Sequence, residues 1–285
     1  MNRVISYQGE PGAFSHQSCQ AVYPDWEALA CPTFEDAFAA VAEGRAALAM
    51  IPIDNSIAGR VADIHALLPK SDLHIVGEFF LPVHFQLMGV PGARVEDLRT
   101  VQSHIHALGQ CRKLIRRLGL KAIVAGDTAG SAREVAAAGD PSRGSLSPRL
   151  AAGIYGLDIL AEDVEDEDHN TTRFVVLSRE PAPPAAGDGP VVTTFMFRVK
   201  NLPAALYKGL GGFATNGVNM TKLESYMVEG EFTATQFLAD VEGHPEDDAV
   251  RRAFEELRFF SREFRVLGTY PAHPFRVESA HAERD

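Results

Sequence analysis

The alternation of apolar and polar positions in the first 51 residues predicts strands and helices in turn. Short apolar runs indicate buried strands, and the segments between them carry apolar residues every three to four positions, as amphipathic helices do. Thr33, followed by Asp36 three residues later, is typical of a helix N-cap. The predicted strands cover residues 4–8, 27–31 and 47–51, and the predicted helices cover residues 13–22 and 33–44.

The pattern changes between residues 73 and 90. Two strand-like runs, 73–77 and 83–88, are separated there by Pro82 with no helix between them. Such a pair indicates that the chain crosses into a second lobe. Later elements are predicted as a helix over 112–118, a strand over 121–125, a helix from Thr128 and a buried strand over 175–177.

Residues 181–190 are rich in proline, alanine and glycine, a composition that cannot pack a core and is typical of a linker. Beyond it the pattern predicts the order βαββαβ, which is the ferredoxin-like arrangement. Its predicted elements are a strand over 192–199, a helix over 203–216, strands over 218–227 and 232–241, a helix over 245–260 and a strand over 264–270.

Composition agrees with a globular protein of two domains or more, since the 285 residues are 46% hydrophobic and 23% charged. The net charge of −11 disfavours nucleic acids and anionic membranes as partners, although local donors can still hold an anionic small molecule. No apolar run approaches the ~20 residues of a membrane helix, and the N-terminus lacks a signal-peptide pattern. We therefore expect a cytoplasmic location.

The cysteines and paired histidines do not indicate a metal site. Cys19, Cys31 and Cys111 form no CxxC spacing, and their odd number argues against a disulfide framework, so we predict buried thiols. His104 and His106 lie two residues apart, but no third ligand follows at a recognisable spacing. We expect neither a metal nor a cofactor.

The candidate chemistry centres on a polar turn, His169-Asn170-Thr171-Thr172-Arg173-Phe174, which leads into the apolar strand 175–177. Hydroxyls beside a fixed positive charge suit an anionic substrate, although the same residues could simply open the strand. The adjoining acidic run over 162–168 is predicted to be a solvated face.

Three loops elsewhere in the chain are also candidates for binding a ligand, and the first of them suits a carboxylate or phosphate. Each lies where a strand ends or a helix begins, and such positions present N–H groups or polar side chains to anions. An alternative for the second loop is that Asn55 or Ser56 caps a helix reaching Leu68. The loops are residues 9–15, residues 54–56 (Asp54, Asn55, Ser56) and residues 126–131 (including Thr128 and Ser131).

Four segments, taken in order, resemble the successive motifs of bacterial prephenate dehydratase. They are Gly-Glu-Pro-Gly-Ala-Phe-Ser at 9–15 and residues 52–59, 103–111 and 170–174. Residues 191–272 resemble the ACT regulatory domain of that family. The resemblance implies an α/β fold with a two-lobed, periplasmic-binding-protein-like catalytic region over 1–180. In it, lobe one spans about 1–80 plus 165–180 and lobe two about 81–164; the linker is 181–190, and residues 273–285 form a tail.

The resemblance further implies decarboxylative dehydration of prephenate to phenylpyruvate, without a cofactor, in L-phenylalanine biosynthesis. Thr172 falls on the threonine that the family ties to catalysis, and Asp54 stands where the family has the longer glutamate. The residues implied in substrate binding are Asn55, Ser56, Gln110, Thr128, Ser131, Thr171, Arg173 and Phe174.

The chemistry of that reaction sets its own requirements. Prephenate is a dianion that loses carbon dioxide and a ring hydroxyl, and aromatisation of the ring drives the reaction. Donors, a cation and an acid at the leaving oxygen are needed, and Thr172 can donate a hydrogen bond there. An aliphatic hydroxyl is too weak an acid to be the net proton source, so water, His106 or a neighbouring carboxyl remain alternatives.

For the ACT-like part, the resemblance implies L-phenylalanine as an effector. Alanine replaces the usual family glycine at 204, and Tyr226-Met227 replaces the family Arg-Pro. Such domains pair through open sheet edges, so a homodimer or homotetramer is expected. The implied effector residues are Asn201, Pro203, Ala204, Ala205, Leu206, Glu224 and Ser225.

Two other functions stay open from the sequence. One keeps the fold but takes arogenate, in which an amino group replaces the keto oxygen of prephenate. The other is a non-catalytic amino-acid sensor, which the joint presence of Thr172, Arg173, Asn55 and Gln110 disfavours.

Overall fold

A computed structural model describes residues 3–227 and 234–276 of the chain. The chain folds into two compact units. The first contains the residues up to Val61 together with Phe79–Phe174, and the second contains Ala62–Glu78 together with the chain from Val175 onward. Residues 62–78 group with the C-terminal part in this division, and the lobe and domain boundaries expected from the sequence stay predictions.

A mixed sheet runs through the N-terminal part of the chain in the order β2-β1-β3-β11-β5, with the short β4 paired to β3. Pairing of β1 with β2 and with β3 is parallel, which fits the helices that connect these strands. Its elements are β1 (Val4–Gln8), α1 (Phe14–Val22), β2 (Glu27–Cys31), α2 (Phe34–Ala42), β3 (Leu48–Asn55), β4 (Gly59–Arg60), α3 (Ala62–Leu67), β5 (His74–Pro82) and β11 (Thr171–Ser178).

A second sheet, in the order β10-β6-β9-β7-β8, follows the crossover at Pro82. Its core is apolar and includes Phe85, Leu87, Val101 and Leu146. Its elements are β6 (Gln86–Gly89), β7 (Thr100–Ser103), α4 (Ile105–Gln110), α5 (Arg112–Arg117), β8 (Lys121–Val124), α6 (Thr128–Ala138), β9 (Arg143–Ser147), α7 (Arg149–Tyr155) and β10 (Asp158–Ala161). No element was predicted for β7, α4, β9, α7 or β10.

The C-terminal sheet has the order β13-β14-β12-β15 and is antiparallel throughout. This is the predicted βαββαβ arrangement, and the α/β fold class with a ferredoxin-like part is confirmed. An aromatic core that includes Phe195, Phe197, Phe213 and Phe254 fills the space between this sheet and its helices. Its elements are β12 (Val191–Val199), α8 (Ala205–Thr215), β13 (Met220–Met227), β14 (Ala234–Glu242), α9 (Asp248–Phe260) and β15 (Ser261–Pro271).

Three predicted boundaries near the candidate site were wrong, and hydrogen bonding explains each. Strand β3 continues past Pro52 to Asn55 because it turns back through Gly59, at φ +82°, to pair with β4. Helix α3 consequently starts at Ala62, and neither Asn55 nor Ser56 caps it. Strand β11 already begins at Thr171, so the hydroxyls expected in a turn lie on a strand.

Ala204, at the start of α8, adopts left-handed backbone angles of φ +61° and ψ +16°. An L-residue is strained there because its Cβ crowds the following carbonyl, which explains why glycine suits this position. We expect Ala204→Gly to raise the free energy of unfolding by ~0.5–1 kcal/mol, measured by urea denaturation.

The matched control for this prediction is Ala214→Gly, on the exposed side of the same helix. Ala214 has ordinary helical geometry, so glycine there should lower the free energy of unfolding by about 0.5–1 kcal/mol. Equal destabilisation by both substitutions would contradict the strain at Ala204.

Candidate active site

Asn55, at the end of β3, bonds to two residues of the predicted polar turn, Asn170 and Thr172. Its Oδ1 accepts from the backbone N–H groups of Ile57 at 3.0 Å and Ala58 at 2.7 Å. Because a backbone amide can only donate, these bonds fix the orientation of the side-chain amide. Its Nδ2 therefore points to the other side, where it donates to Thr172 Oγ1 at 2.9 Å and to Asn170 Oδ1 at 2.8 Å.

The orientation of the Asn55 amide also fixes the orientations of the Asn170 and Gln110 amides. Asn170 uses its Oδ1 to accept from Asn55, so its Nδ2 donates to Gln110 Oε1 at 2.8 Å. Gln110 is thereby held with its amino group turned away from Asn170. The same logic applies to Thr172: its oxygen accepts from Asn55, and its hydroxyl proton stays available as a donor.

Ser56 joins the β3 end to the start of β11. Its Oγ donates to the carbonyl of His169 and accepts from the backbone N–H of Thr171, both at 2.9 Å. Its backbone N–H also donates to the carbonyl of Thr171 at 2.9 Å. Through these three bonds, Ser56 holds the backbone of residues 169–172 in place.

Arg173 is a buried cation, since its side chain is only 7% exposed. Its Nη1 lies 3.6 Å from Asp54 Oδ2, which places the shorter carboxylate of this chain beside the motif arginine. Phe174 is fully buried and belongs to the core. The adjacent residues Asp54 and Asn55 thus contact Arg173 and Thr172, respectively.

Gln110, the last amide of the Asn55–Asn170–Gln110 chain, lines a cavity of about 550 Å³. That volume is in the range of small-molecule sites. Its lining includes Ile57 and Ala58 from the turn that Asn55 holds, and His106 and Gln110 from α4. The remaining lining residues are Ile105, Leu108, Gly109, Arg112, Ile115, Arg116, Ala122 and Val124.

Arg112 and Arg116 were missed by the sequence analysis. Both line the cavity, and guanidinium groups bind carboxylates through paired hydrogen bonds. Their separation of four residues on α5 places them on one face of the helix, which is the signal that could have indicated them.

Thr128 and Ser131 lie in a cluster of hydroxyls at the start of α6. Ser131 is fully buried; its Oγ donates to the carbonyl of Thr128 at 2.6 Å and bonds to Ser145 Oγ at 2.7 Å. Ser147 Oγ donates to the same Thr128 carbonyl at 2.6 Å. The structure thus places the Ser131 hydroxyl in an internal network, and its role in substrate binding stays a prediction.

The 9–15 loop is held by side chains of its own unit. Gly12 N–H donates to His16 Nδ1 at 3.0 Å, Tyr155 Oη donates to the carbonyl of Pro11 at 2.8 Å, and Arg133 pairs with Glu10 at 3.2 Å. Burial lowers the pKa of His16, so its ring is suited to accept the Gly12 bond as a neutral group. The anion-binding role of this loop stays a prediction.

The cysteines are buried and free, as predicted. Burial raises the pKa of the Cys19 thiol to about 12 and also raises that of Cys31 and Cys111. A thiol is nucleophilic only as thiolate, so none of the three is suited to attack a substrate.

Comparison with known proteins identifies the family. Residues 5–182 match the family described as prephenate dehydratase.

The chain belongs to the prephenate dehydratase family.

A relative from Komagataeibacter europaeus, named a bifunctional N-acyl-homoserine lactone acylase/prephenate dehydratase, is 53% identical over 96% of this chain and 98% of its own length. An Arabidopsis thaliana protein, named arogenate dehydratase/prephenate dehydratase 1, is 38% identical over 94% of this chain and 71% of its own length. The solved structure of Arthrobacter aurescens prephenate dehydratase with L-Phe has a TM-score of 0.86 at 30% identity, covering 99% of this chain and 98% of that one. The protein is therefore an enzyme, a prephenate dehydratase by family.

The effector residues implied by the resemblance lie in the C-terminal unit. Asn201 and Pro203 precede α8, Ala205 and Leu206 begin it, and Glu224 and Ser225 lie on the edge strand β13. Tyr226, which stands where the family has arginine, bonds through its hydroxyl to Nδ1 of His65 on α3. The two rings are 5.1 Å apart, so this position packs against residues 62–78 of its own unit.

Proposed function

We propose that this prephenate dehydratase family member converts prephenate to phenylpyruvate, carbon dioxide and water in L-phenylalanine biosynthesis. The observation that carries the proposal is the Thr172 hydroxyl, whose oxygen accepts from Asn55 and whose proton is left to donate. Asn55 also holds the turn of Ile57 and Ala58, and these two residues line a small-molecule cavity together with two arginines and the oriented Gln110. These are the groups that a dianion with a leaving hydroxyl requires.

In the proposed reaction, Arg112 and Arg116 hold carboxylate oxygens, and the amino group of Gln110 donates to the substrate. The ring carboxylate leaves as carbon dioxide, its electron pair moves into the ring, and the carbon–oxygen bond on the opposite side breaks. Thr172 donates its hydrogen bond to the departing oxygen, which takes up a proton and leaves as water. His106 lines the cavity and is a candidate for the net proton source, alongside water.

We expect the purified protein to form phenylpyruvate from prephenate with saturable kinetics. The absorbance of phenylpyruvate in alkali measures its formation. The same protein should show a lower kcat/KM with arogenate, followed by phenylalanine formation. A higher kcat/KM for arogenate would reassign the enzyme as an arogenate dehydratase, as some relatives are named. A folded protein without turnover of either compound would overturn the proposed reaction.

Feedback regulation by L-phenylalanine at an ACT domain is the second part of the proposal. It is supported by the βαββαβ order of the C-terminal unit and by the L-Phe complex of the Arthrobacter relative. A calorimetric titration should detect L-Phe binding, and L-Phe should change the rate of the prephenate assay. Absence of both effects would reject this part while leaving the reaction itself in place.

The proposal extends to the location of the enzyme in the cell and to its oligomeric state. No helix in the described part of the chain combines the length and the hydropathy of a membrane span. We propose a cytoplasmic enzyme that acts as a homodimer or homotetramer, with the edge strand β13 as the element that pairs. Light scattering of the purified protein tests the oligomeric state.

A second candidate activity is hydrolysis of N-acyl-homoserine lactones, the activity in the name of the Komagataeibacter relative. The observation that favours it is the apolar lining of the cavity, where Ile105 and Val124 are more than half exposed. An acyl chain could lie on that surface, and water would cleave the amide to give a fatty acid and homoserine lactone. The test is to incubate an N-acyl-homoserine lactone with and without the protein. Chromatography then detects the fatty acid and the homoserine lactone that are formed.

A further inference from the structure

Two chain connections join the first sheet to the second. The first connection, residues 83–85, follows β5, and the second, residues 162–170, precedes β11. The connections bond to each other: Val83 N–H donates to the carbonyl of Asn170 at 2.8 Å, and Val164 N–H donates to the carbonyl of Phe85 at 2.9 Å. They therefore form one structural element between the two sheets.

Three side chains of the types that can bind a metal ion meet at this element. His84 comes from the first connection, and Asp163 and Glu165 come from the second. His84 Nδ1 lies 2.6 Å from Glu165 Oε1 and 4.0 Å from Asp163 Oδ1. One ligand atom from each residue lies within 4.8 Å of the other two, which is close enough for small side-chain rotations to bring all three onto one metal ion.

Both carboxylates are held in place by neutral donors from the first connection and β6. Glu165 Oε2 accepts from the backbone N–H of Phe85 at 2.9 Å, which leaves Oε1 directed at His84. Asp163 Oδ1 accepts from Gln86 Nε2 at 2.7 Å, and Gln86 Oε1 accepts from the backbone N–H of Asp163 at 3.3 Å. Outer hydrogen bonds of this kind orient the ligands of protein metal sites.

Burial makes Glu165 different from the rest of the acidic run. Its side chain is only 6% exposed, so the prediction that residues 162–168 form a solvated face was wrong at this position. Two basic side chains bond to other residues of the acidic run rather than to Glu165. Arg149 pairs with Glu162, and Lys113 bonds to the carbonyl of Asp166. Among the described residues, no lysine or arginine pairs with Asp163 or Glu165, so the cluster is a negatively charged cup with one imidazole.

We propose that His84, Asp163 and Glu165 bind a divalent first-row transition-metal ion such as Zn²⁺. An imidazole nitrogen with two carboxylate oxygens suits Zn²⁺, whereas Ca²⁺ and Mg²⁺ prefer oxygen ligands alone. The bound ion joins the two connections between the sheets. Its role is to restrain that element, and the reaction at Thr172 proceeds without it.

The test uses the full-length protein after treatment with a chelator and its removal. Calorimetric titration with Zn²⁺ should give one saturable site per chain, and Zn²⁺ should raise the thermal unfolding midpoint because the ion binds the folded state. Mg²⁺ at the same concentration should produce neither effect. Co²⁺ in place of Zn²⁺ should give the visible absorption of a protein-bound ion.

The variants His84→Gln and Asp163→Asn should each weaken Zn²⁺ binding at least tenfold and remove the thermal shift. Asp163 is exposed, so its variant keeps the fold even if the His84 variant does not. His74→Gln is the matched control, since His74 lies on β5 outside the cluster and should leave Zn²⁺ binding unaltered. Zn²⁺ binding that survives both cluster variants, or no saturable binding in the unaltered protein, would overturn the site.

Discussion

Thr172→Ala is expected to lower kcat for prephenate by about 100-fold or more, with KM changed little. The Thr172 oxygen accepts from Asn55 Nδ2 at 2.9 Å, and this bond directs the hydroxyl proton to another acceptor. Alanine removes that donor from the departing oxygen, where charge develops only as the carbon–oxygen bond breaks. A loss confined to the transition state lowers kcat rather than substrate affinity. Initial rates of phenylpyruvate formation measure the effect.

Thr172→Ser is the matched control because it keeps the hydroxyl and removes only a methyl group. It should retain kcat within about tenfold, since the bond from Asn55 can still form. Circular dichroism should show the same folded state for both variants. A kcat unaltered by Thr172→Ala would exclude this hydroxyl from catalysis, and equal losses in the serine and alanine variants would point to packing instead.

Arg276→Met is expected to lower the free energy of unfolding by ~3–5 kcal/mol. Arg276 lies between two buried carboxylates of its own unit: it bonds to Glu78 Oε1 at 2.6 Å and to Glu78 Oε2 at 2.9 Å, and its Nη2 lies 3.3 Å from Asp240 Oδ2. The Glu78 and Asp240 side chains are 0% and 1% exposed. Removal of Arg276 takes a cation away from two buried carboxylates, which costs far more than loss of a surface ion pair.

Chemical denaturation of the full-length protein measures this change. Arg252→Met, on the exposed face of α9, is the control and should change stability by less than about 0.5 kcal/mol. Adding Glu78→Gln to Arg276→Met should recover part of the loss, because the neutral amide removes one of the two charges. A loss no greater than that of the Arg252 variant would show that Arg276 is not the countercharge of this network.

This network illustrates a limit of reading the sequence alone. The sequence predicts a tail over 273–285, of which 277–285 lie outside the described residues. Within the described part, the N–H of His273 donates to Glu78 Oε1 at 3.1 Å and Arg276 bonds to the same carboxylate. Glu78 and Arg276 are separated by 198 residues, so no local pattern connects them. Ion pairs of this kind arise only when the fold brings distant segments together.

The regular elements were predicted best where a local pattern is complete. Strands β1 and β2 were predicted with their observed bounds, and α2 begins at the predicted cap, where Thr33 accepts from the N–H of Asp36 at 3.1 Å. Hydrophobic period and capping chemistry act within a few residues, so they can be recognised in sequence. The boundaries of β3 and β11 were missed because partner strands, rather than local preference, extend these elements.

The sequence by itself determined the α/β class and the βαββαβ order of the C-terminal part, and its motifs indicated Asn55, Gln110 and Thr172 as candidate site residues. These depend on hydrophobic period and on short motifs, which are written in adjacent positions. The tertiary structure alone decided how these residues contact one another: the polarity of the Asn55–Asn170–Gln110 chain, the burial of Ser131 and Arg173, and the meeting of His84 with Glu165. The reason is physical: hydrogen bonds and burial depend on atoms from segments up to 198 residues apart, and a sequence pattern records only neighbours along the chain.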